Sequence, residues 1–180
     1  MKLKDIWYKY WTDKFEHWFL DLYEWILTKY WPNIMQMLEI WVYNGASLRM
    51  WRDYMPNVTI IWVDINPALD IPWVIEYRAD ATTQEFADKM EFLDLIIDDW
   101  SHLSSHQIKS LELLWPKLNA GGIYILEDIH TSLRDNYKDT DVSALDHFKK
   151  FAKENCEAPP IEFRKDETQM DGTLILFKDK

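Results

Sequence analysis

From residue 34 onward, short apolar runs of strand length recur, and most are followed by a stretch of helical periodicity. The clearest is 93–102, LDLIIDDWSH, in which 93–97 is apolar apart from Asp94 and then stops in two carboxylates, a ring, a hydroxyl and an imidazole. A run of this kind is what a strand buried on both faces of a parallel sheet requires, and it predicts one over 93–98. Similar runs at 37–43, 58–65, 74–78 and 123–126 predict further strands. Helical spacing predicts helices over 46–54, 82–90, 104–118 and 142–154. Two final strands are expected at 161–164 and 173–177, joined by the polar segment containing Asp171 and Gly172. Alternation of this type gives a parallel sheet with right-handed crossovers and helices on both faces.

Residues 1–31 stand apart. Phe15, Trp18, Phe19, Leu22, Tyr23 and Ile26 fall at helical spacing, which predicts one or two amphipathic helices packed on the body and ended before Pro32. Thr12, Asp13, Lys14 and His17 are the polar residues within and just ahead of that stripe. The organisation expected is a single domain, with 1–31 as a helical segment docked on a body of 32–180. At 180 residues the chain is long enough for one good core.

A net charge of −11 with no basic stripe argues against a nucleic-acid partner. The single cysteine, Cys156, excludes an internal disulfide and suits a reducing compartment. No apolar run approaches the roughly 20 residues of a membrane span, and the N-terminus lacks the apolar core of a signal peptide. A cytoplasmic location is the expectation, and self-association into a homo-oligomer is left open. Two counts are out of line: 4 glycines and 11 tryptophans. An α/β sheet uses glycine at its tight strand-to-helix turns, so the shortage falls where this fold would feel it most.

In open α/β sheets ligands bind beyond the carboxyl ends of the strands. Four successive predicted strands end in acids there: Asp64, Asp80, Asp98 with Asp99, and Glu127 with Asp128. The turn after the first strand contains Gly45 and precedes a helix, the setting in which nucleotide-like cofactors rest on backbone N–H groups. Asp64 can accept both hydroxyls of a ribose, and on spacing alone it can equally be a helix cap. Without a glycine-rich phosphate loop, and with this much negative charge, the outline is of a ligand with an adenosine end and no phosphates. If the fourth and fifth strands are neighbours, their ends lie about 4.8 Å apart, and three carboxylates converge. Such carboxylates repel unless one is protonated or a cation sits between them, and oxygen ligands select a hard ion such as Mg²⁺.

The segments LEIWVYNGASLRMW, DINP, IIDDWSH, AGGIYILEDIH and an N-terminal TDK resemble class I S-adenosylmethionine-dependent methyltransferases. More narrowly, they are similar to the metal-dependent O-methyltransferases acting on macrolide sugars, with relatives named for cephalosporin biosynthesis. The resemblance covers roughly residues 11 to 130. It implies a Rossmann-like methyltransferase fold, a mostly parallel seven-stranded sheet with an antiparallel last strand. It implies S-adenosylmethionine and Mg²⁺ as cofactors and a hydroxyl of a sugar or small natural product as acceptor. Glu39, Gly45, Ser47, Asp64, Asp80 and Asp98 would surround the cofactor. Asp99, Glu127 and Asp128 would hold the metal. His102 would take the proton from the acceptor, with His130 a second candidate and His106 structural or exposed.

The same resemblance leads one to expect glycine where this chain has Trp11, Trp18, Trp41, Trp62 and Trp100. One residue type replaced by one other at so many places suggests an altered version of such a sequence. An indole in the crevice would block the cofactor, so weak binding and an aromatic-filled pocket are expected. Two other readings stay open: a non-catalytic binding module on the same fold, and a metal-dependent hydrolase built on Asp99, Glu127 and Asp128.

Overall fold

The computed structural model describes residues 2–12, 14, 19–30, 33–67, 69–164 and 172–180. Asp13, Phe15, His17, Trp18, Pro32 and Asp171, and the side chain of Phe19, lie outside the described set. Two helices come first, α1 (Leu3–Tyr10) and α2 (Phe19–Tyr30). Strand and helix then alternate: β1 (Gln36–Ile40), α3 (Ala46–Tyr54), β2 (Thr59–Asp64), β3 (Ile75–Arg78), α4 (Gln84–Ala87), β4 (Leu93–Asp98), α5 (Ser104–Leu114), β5 (Leu118–Leu126), α6 (Ala144–Asn155), β6 (Ile161–Arg164) and β7 (Gly172–Phe177).

The seven strands form one sheet in the order β3-β2-β1-β4-β5-β7-β6. Strands β1 to β5 pair in parallel, and β7 runs antiparallel to both β5 and β6. This is the expected Rossmann-like α/β fold with its reversed last strand. The order steps outward from β1 to β3 and then returns to β4 on the other side of β1. The connections after β1 and β4 therefore leave in opposite directions and open a crevice at their carboxyl ends.

Side chains alternate across a strand with period two, and that parity sorts the core into two layers. Met37, Ile60, Trp62, Leu95, Ile97, Ile123 and Ile125 face α1, α2 and α3, packing with Ile6, Trp7, Tyr23, Ile26, Leu48 and Trp51. Leu38, Ile40, Ile61, Val63, Ile96, Tyr124 and Leu126 face α4, α5 and α6, packing with Phe86, Leu111, Leu145 and Phe148. The N-terminal helices are thus one wall of the first core layer.

The differences from expectation lie at element ends. Strand β1 stops at Ile40 rather than 43, because Trp41 takes φ 66° and breaks the extended run. Helix α4 is shorter than the expected 82–90, with Thr83 capping it by accepting from Phe86 N. Helix α5 ends at Leu114, and Pro116 sits in a 3-10 turn just beyond it. Strand β5 starts at Leu118, earlier than the expected 123. The glycine pair that reads as a break is incorporated, with Gly121 N donating to Lys178 O and Lys178 N to Gly122 O, both at 2.9 Å.

Candidate active site

Parity carries directly into the site. Glu39 in β1, Asp99 just past β4 and Glu127 just past β5 all continue the face that meets α1–α3, as Met37, Ile97 and Ile125 do. Backbone bonds bring the three strand ends level: Asp99 N donates to Ile40 O at 3.3 Å, and Glu127 N to Asp98 O at 2.9 Å. Into the middle of this group the segment between α1 and α2 inserts Lys14. Its Nζ lies 2.6 Å from Glu127 Oε2, 3.4 Å from Glu39 Oε1 and 3.7 Å from Asp99 Oδ2. Tyr23 in α2 donates its hydroxyl to Glu127 Oε1, and Trp51 Nε1 donates to Glu39 Oε2 at 3.1 Å.

Lys14, Tyr23, Glu39 and Glu127 are all buried. Burial alone would discharge Lys14, but Glu127, Asp99 and Glu39 outweigh it and hold the ammonium well above its ordinary pKa. For Glu39, burial dominates: its carboxyl is pushed up to about 7 against the opposing pull of Lys14.

Glu127, expected as a metal ligand, is paired here with Lys14 and Tyr23. A second group lies further out: Asp99, His102 and Asp128 each offer a ligand atom within 4.8 Å of the others. His102 Nε2 is 3.7 Å from Asp128 Oδ2, and His130 Nδ1 is 3.9 Å from Asp128 Oδ1. The two turns that gather them are contorted, with Ser101 and His102 after β4 at φ 42° and 59° and Asp128 after β5 at φ 54°. His106 bonds Ser101 Oγ at 2.7 Å and stacks on Trp100, a structural position.

Asp98 goes the other way. By parity it belongs to the opposite face, where it accepts from Tyr124 Oη at 2.7 Å and from Trp100 N at 3.2 Å and is wholly buried. It supports the turn from beneath and does not face the crevice, contrary to its expected place among the cofactor residues. Burial raises its carboxyl to about 7, against the lowering effect of the Tyr124 and Trp100 donors.

Two cavities open at the crevice. One, of about 260 Å³, is lined by Glu39, Ser47, Asn44, Lys14 and Asp99 under the rings of Trp7, Trp11 and Trp41. The other, of about 340 Å³, is lined by Asp64, Ile65, Asn66 and Leu69 with Trp41 and Trp100. Trp41, Val42 and Tyr43 border both. Gly45 stands between them at φ 76° as the residue before α3, and a Cβ there would come within 2.8 Å of Ile71 Cδ1. Asp64 accepts from Asn66 N at 2.7 Å, so its role as a turn former and its exposure to the cavity coexist. Asp80 accepts from Thr82 N and Thr82 Oγ1 and organises its own exposed turn. Trp62 lies in the core layer beneath α3 and away from both cavities.

Lys14 and Tyr23 join the candidate site, and strand-end reasoning missed them. The signal was present as the TDK segment beside an aromatic stripe, together with the shared parity of Glu39, Asp99 and Glu127, three acids on one apolar face in need of a cation.

The fold and this site define a class I methyltransferase domain: the seven-stranded order, the reversed last strand and acids at the strand ends around the β1–β4 crevice. Comparison with known proteins agrees. The chain is 33 % identical over 142 residues to mycinamicin VI 2''-O-methyltransferase of Micromonospora griseorubida, covering 69 % of this chain and 35 % of that protein. Over 95 residues it is 36 % identical to 8-demethyl-8-alpha-L-rhamnosyl tetracenomycin-C 2'-O-methyltransferase of Streptomyces olivaceus, covering 49 % of this chain and 25 % of that one. Its fold matches the MycE methyltransferase of the mycinamycin pathway, solved with Mg, SAH and mycinamycin VI, with TM-score 0.84 and 24 % identity over 99 % of this chain and 55 % of that one. It also matches the SAH-bound Podospora anserina methyltransferase PaMTH1, with TM-score 0.60 and 17 % identity over 87 % of this chain and 77 % of that one. No family model matches. The chain belongs to the class I S-adenosylmethionine-dependent methyltransferases, with sugar O-methyltransferases as its sequence relatives, and it spans 25 to 37 % of the length of the curated relatives it matches. No helix among the described residues is long and apolar enough to cross a membrane.

Proposed function

We propose that this chain forms the cofactor-binding and proton-accepting part of an S-adenosylmethionine-dependent O-methyltransferase acting on a hydroxyl of a sugar or small natural product. The observation that carries this reading is the pair of cavities at the β1–β4 crevice, one against Glu39 and Ser47 and the other against Asp64, beside the Asp99–His102–Asp128 group. Glu39, Asn44 and Ser47 supply polar contacts suited to an amino acid end. Asp64 has acceptor capacity for a ribose. Among the described residues no glycine-rich loop forms a phosphate cradle at the site, which suits a ligand that carries none. The relatives named for sugar O-methylation support the acceptor class.

The donor set fits a divalent cation. Asp99 and Asp128 offer two carboxylates, which is what Mg²⁺ takes from a protein when it keeps several waters. An ion held there would lower the pKa of an acceptor hydroxyl and fix its direction. His102 Nε2 lies 3.7 Å from Asp128 Oδ2, so the carboxylate charge would stabilise the imidazolium formed when the ring takes the hydroxyl proton. Lys14 spans the space between Glu39 and Asp99, so the cofactor side and the proton-accepting side share one buried charge network.

Calorimetric titration with S-adenosylhomocysteine, with and without Mg²⁺, tests the binding, and transfer of a labelled methyl group to a sugar acceptor tests the chemistry. His102→Ala is expected to lower turnover by about 10²-fold or more while leaving cofactor affinity nearly unchanged. Unaltered turnover in that variant would move the proton-accepting role to His130.

A further inference from the structure

Two tryptophans at this crevice hold a backbone conformation that favours glycine. Trp11 has φ 53° and Trp41 φ 66°. An L-residue in the left-handed region costs about 1–2 kcal/mol, and a bulky aromatic is an outlier there. Two of the chain's glycines, Gly45 and Gly121, hold the same region at φ 76° and 78°, and so, among the described residues, do Phe92, Ser101, His102 and Asp128. Burial does not repay Trp11, which is 71 % exposed. Directly after Trp100 come two successive residues with positive φ, Ser101 and His102, and the His102 N–H bonds back to the Trp100 carbonyl.

Position and composition point the same way. Trp11 and Trp41 roof the first cavity, Trp41 and Trp100 border the second, and Trp41 stands where the two meet. Neither cavity is large: the first, about 260 Å³, falls below the roughly 300–1,000 Å³ typical of small-molecule sites. The chain has 4 glycines and 11 tryptophans in 180 residues, whereas an average share of about 7 % would give about a dozen glycines. Drift away from glycine would favour small or turn-forming residues such as Ala, Ser or Asn, which disturb a left-handed turn least. A swap to the largest side chain at several turns has the form of a decoding rule. The codon UGA is read as tryptophan in some bacterial codes and as glycine in others.

We propose that positions 11, 41 and 100 are glycine in the enzyme as its own cell makes it, each encoded by UGA, and that these glycines join the two cavities into one trough from Glu39 to Asp64. The trough rests on the methyltransferase reading; the identity of the three residues does not. Trp51 is the internal contrast. Its ring is fully buried and its Nε1 bonds Glu39, so it belongs to the core as tryptophan and is expected to be encoded by UGG.

The gene supplies the first test. UGA at 11, 41 and 100 with UGG at 51 is the expected pattern, and UGG at 11 and 41 would overturn the proposal. Peptide masses of the protein purified from the cell that carries the gene should show glycine at the three positions, and tryptophan there would equally overturn it. The trough is tested by calorimetry with S-adenosylhomocysteine on the chain as written and on the Trp11→Gly, Trp41→Gly, Trp100→Gly variant, each checked for folding by circular dichroism. The variant is expected to bind about tenfold or more tightly, and equal measurable affinity would overturn the trough. Failure of both folded proteins to bind would count against the methyltransferase reading while leaving the codon and mass results to decide the residue identities.

Discussion

Lys14 brings one positive charge to three carboxylates on a face that is otherwise apolar. Removing it as Lys14→Met leaves Glu127 and Glu39 buried without their cation, and breaking a buried pair from one side costs about 3–5 kcal/mol. Urea unfolding at neutral pH should register a loss of that order, and a loss under about 1 kcal/mol, the size of an exposed pair, would show that water already screens the group. Asp98 offers a test through pH. Its folded carboxyl is raised by burial to about 7, against about 3.9 in an unfolded chain. Between those values the native state holds a proton the unfolded state has lost, so stability falls as pH rises through the window and is level above it. Glu39, also raised to about 7, adds to the same slope. Asp98→Asn cannot titrate, so its melting temperature should decline less steeply from pH 4 to 8 than that of the parent. Equal slopes would remove Asp98 from the account. These two acids also show what was legible residue by residue. Adjacent carboxylates at a strand end look alike in sequence, yet parity sends Asp98 to Tyr124 and Asp99 to the crevice. The pairing of Glu127 with Lys14 was not legible because the two lie 113 positions apart in the chain.

At the scale of elements, strands β4 and β6 and helix α3 match their sequence patterns to the residue. Their ends are marked by local chemistry: Asp98 and Asp99 after an apolar run, and Gly45 before a helical one. Where ends depend on something non-local, the pattern falls short. Strand β5 extends back through its glycines because Lys178 pairs with them, and β1 stops early because a tryptophan occupies a left-handed turn. Gly45 is the element whose local demand is clearest, since its φ is 76° and a Cβ would press on Ile71 at 2.8 Å and Leu69 at 3.1 Å. Gly45→Ala should cost about 1–2 kcal/mol from the backbone alone and more from the crowding. The change should also misplace the start of α3, so ligand affinity should fall by a larger factor than stability explains. A variant as stable as the parent would mean that the loop carrying Leu69 and Ile71 yields freely.

For the whole molecule the question is whether the N-terminal helices are an accessory or part of the body. Sequence reading separates 1–31 from 32–180, because the aromatic stripe precedes the first regular strand. The packing gives those helices a larger part. Leu3 and Ile6 of α1, and Tyr23, Ile26 and Leu27 of α2, are almost fully buried, and they share one core layer with Trp51, Trp62 and the inward residues of five sheet strands. Lys14 and Tyr23 also anchor that layer to Glu127. A fragment of 32–180 would expose this apolar face and leave Glu127 without either partner. Burying one aliphatic or aromatic side chain is worth about 1.5–3 kcal/mol, so losing the five named here is comparable to the roughly 5–15 kcal/mol by which a whole domain is stable. The fragment is therefore expected to lose cooperative thermal unfolding and to bind a hydrophobic dye, while keeping much of its far-ultraviolet dichroism. A cooperative melt in the 32–180 fragment, near the midpoint of the full chain, would establish it as an independent domain and reduce α1 and α2 to a removable cover.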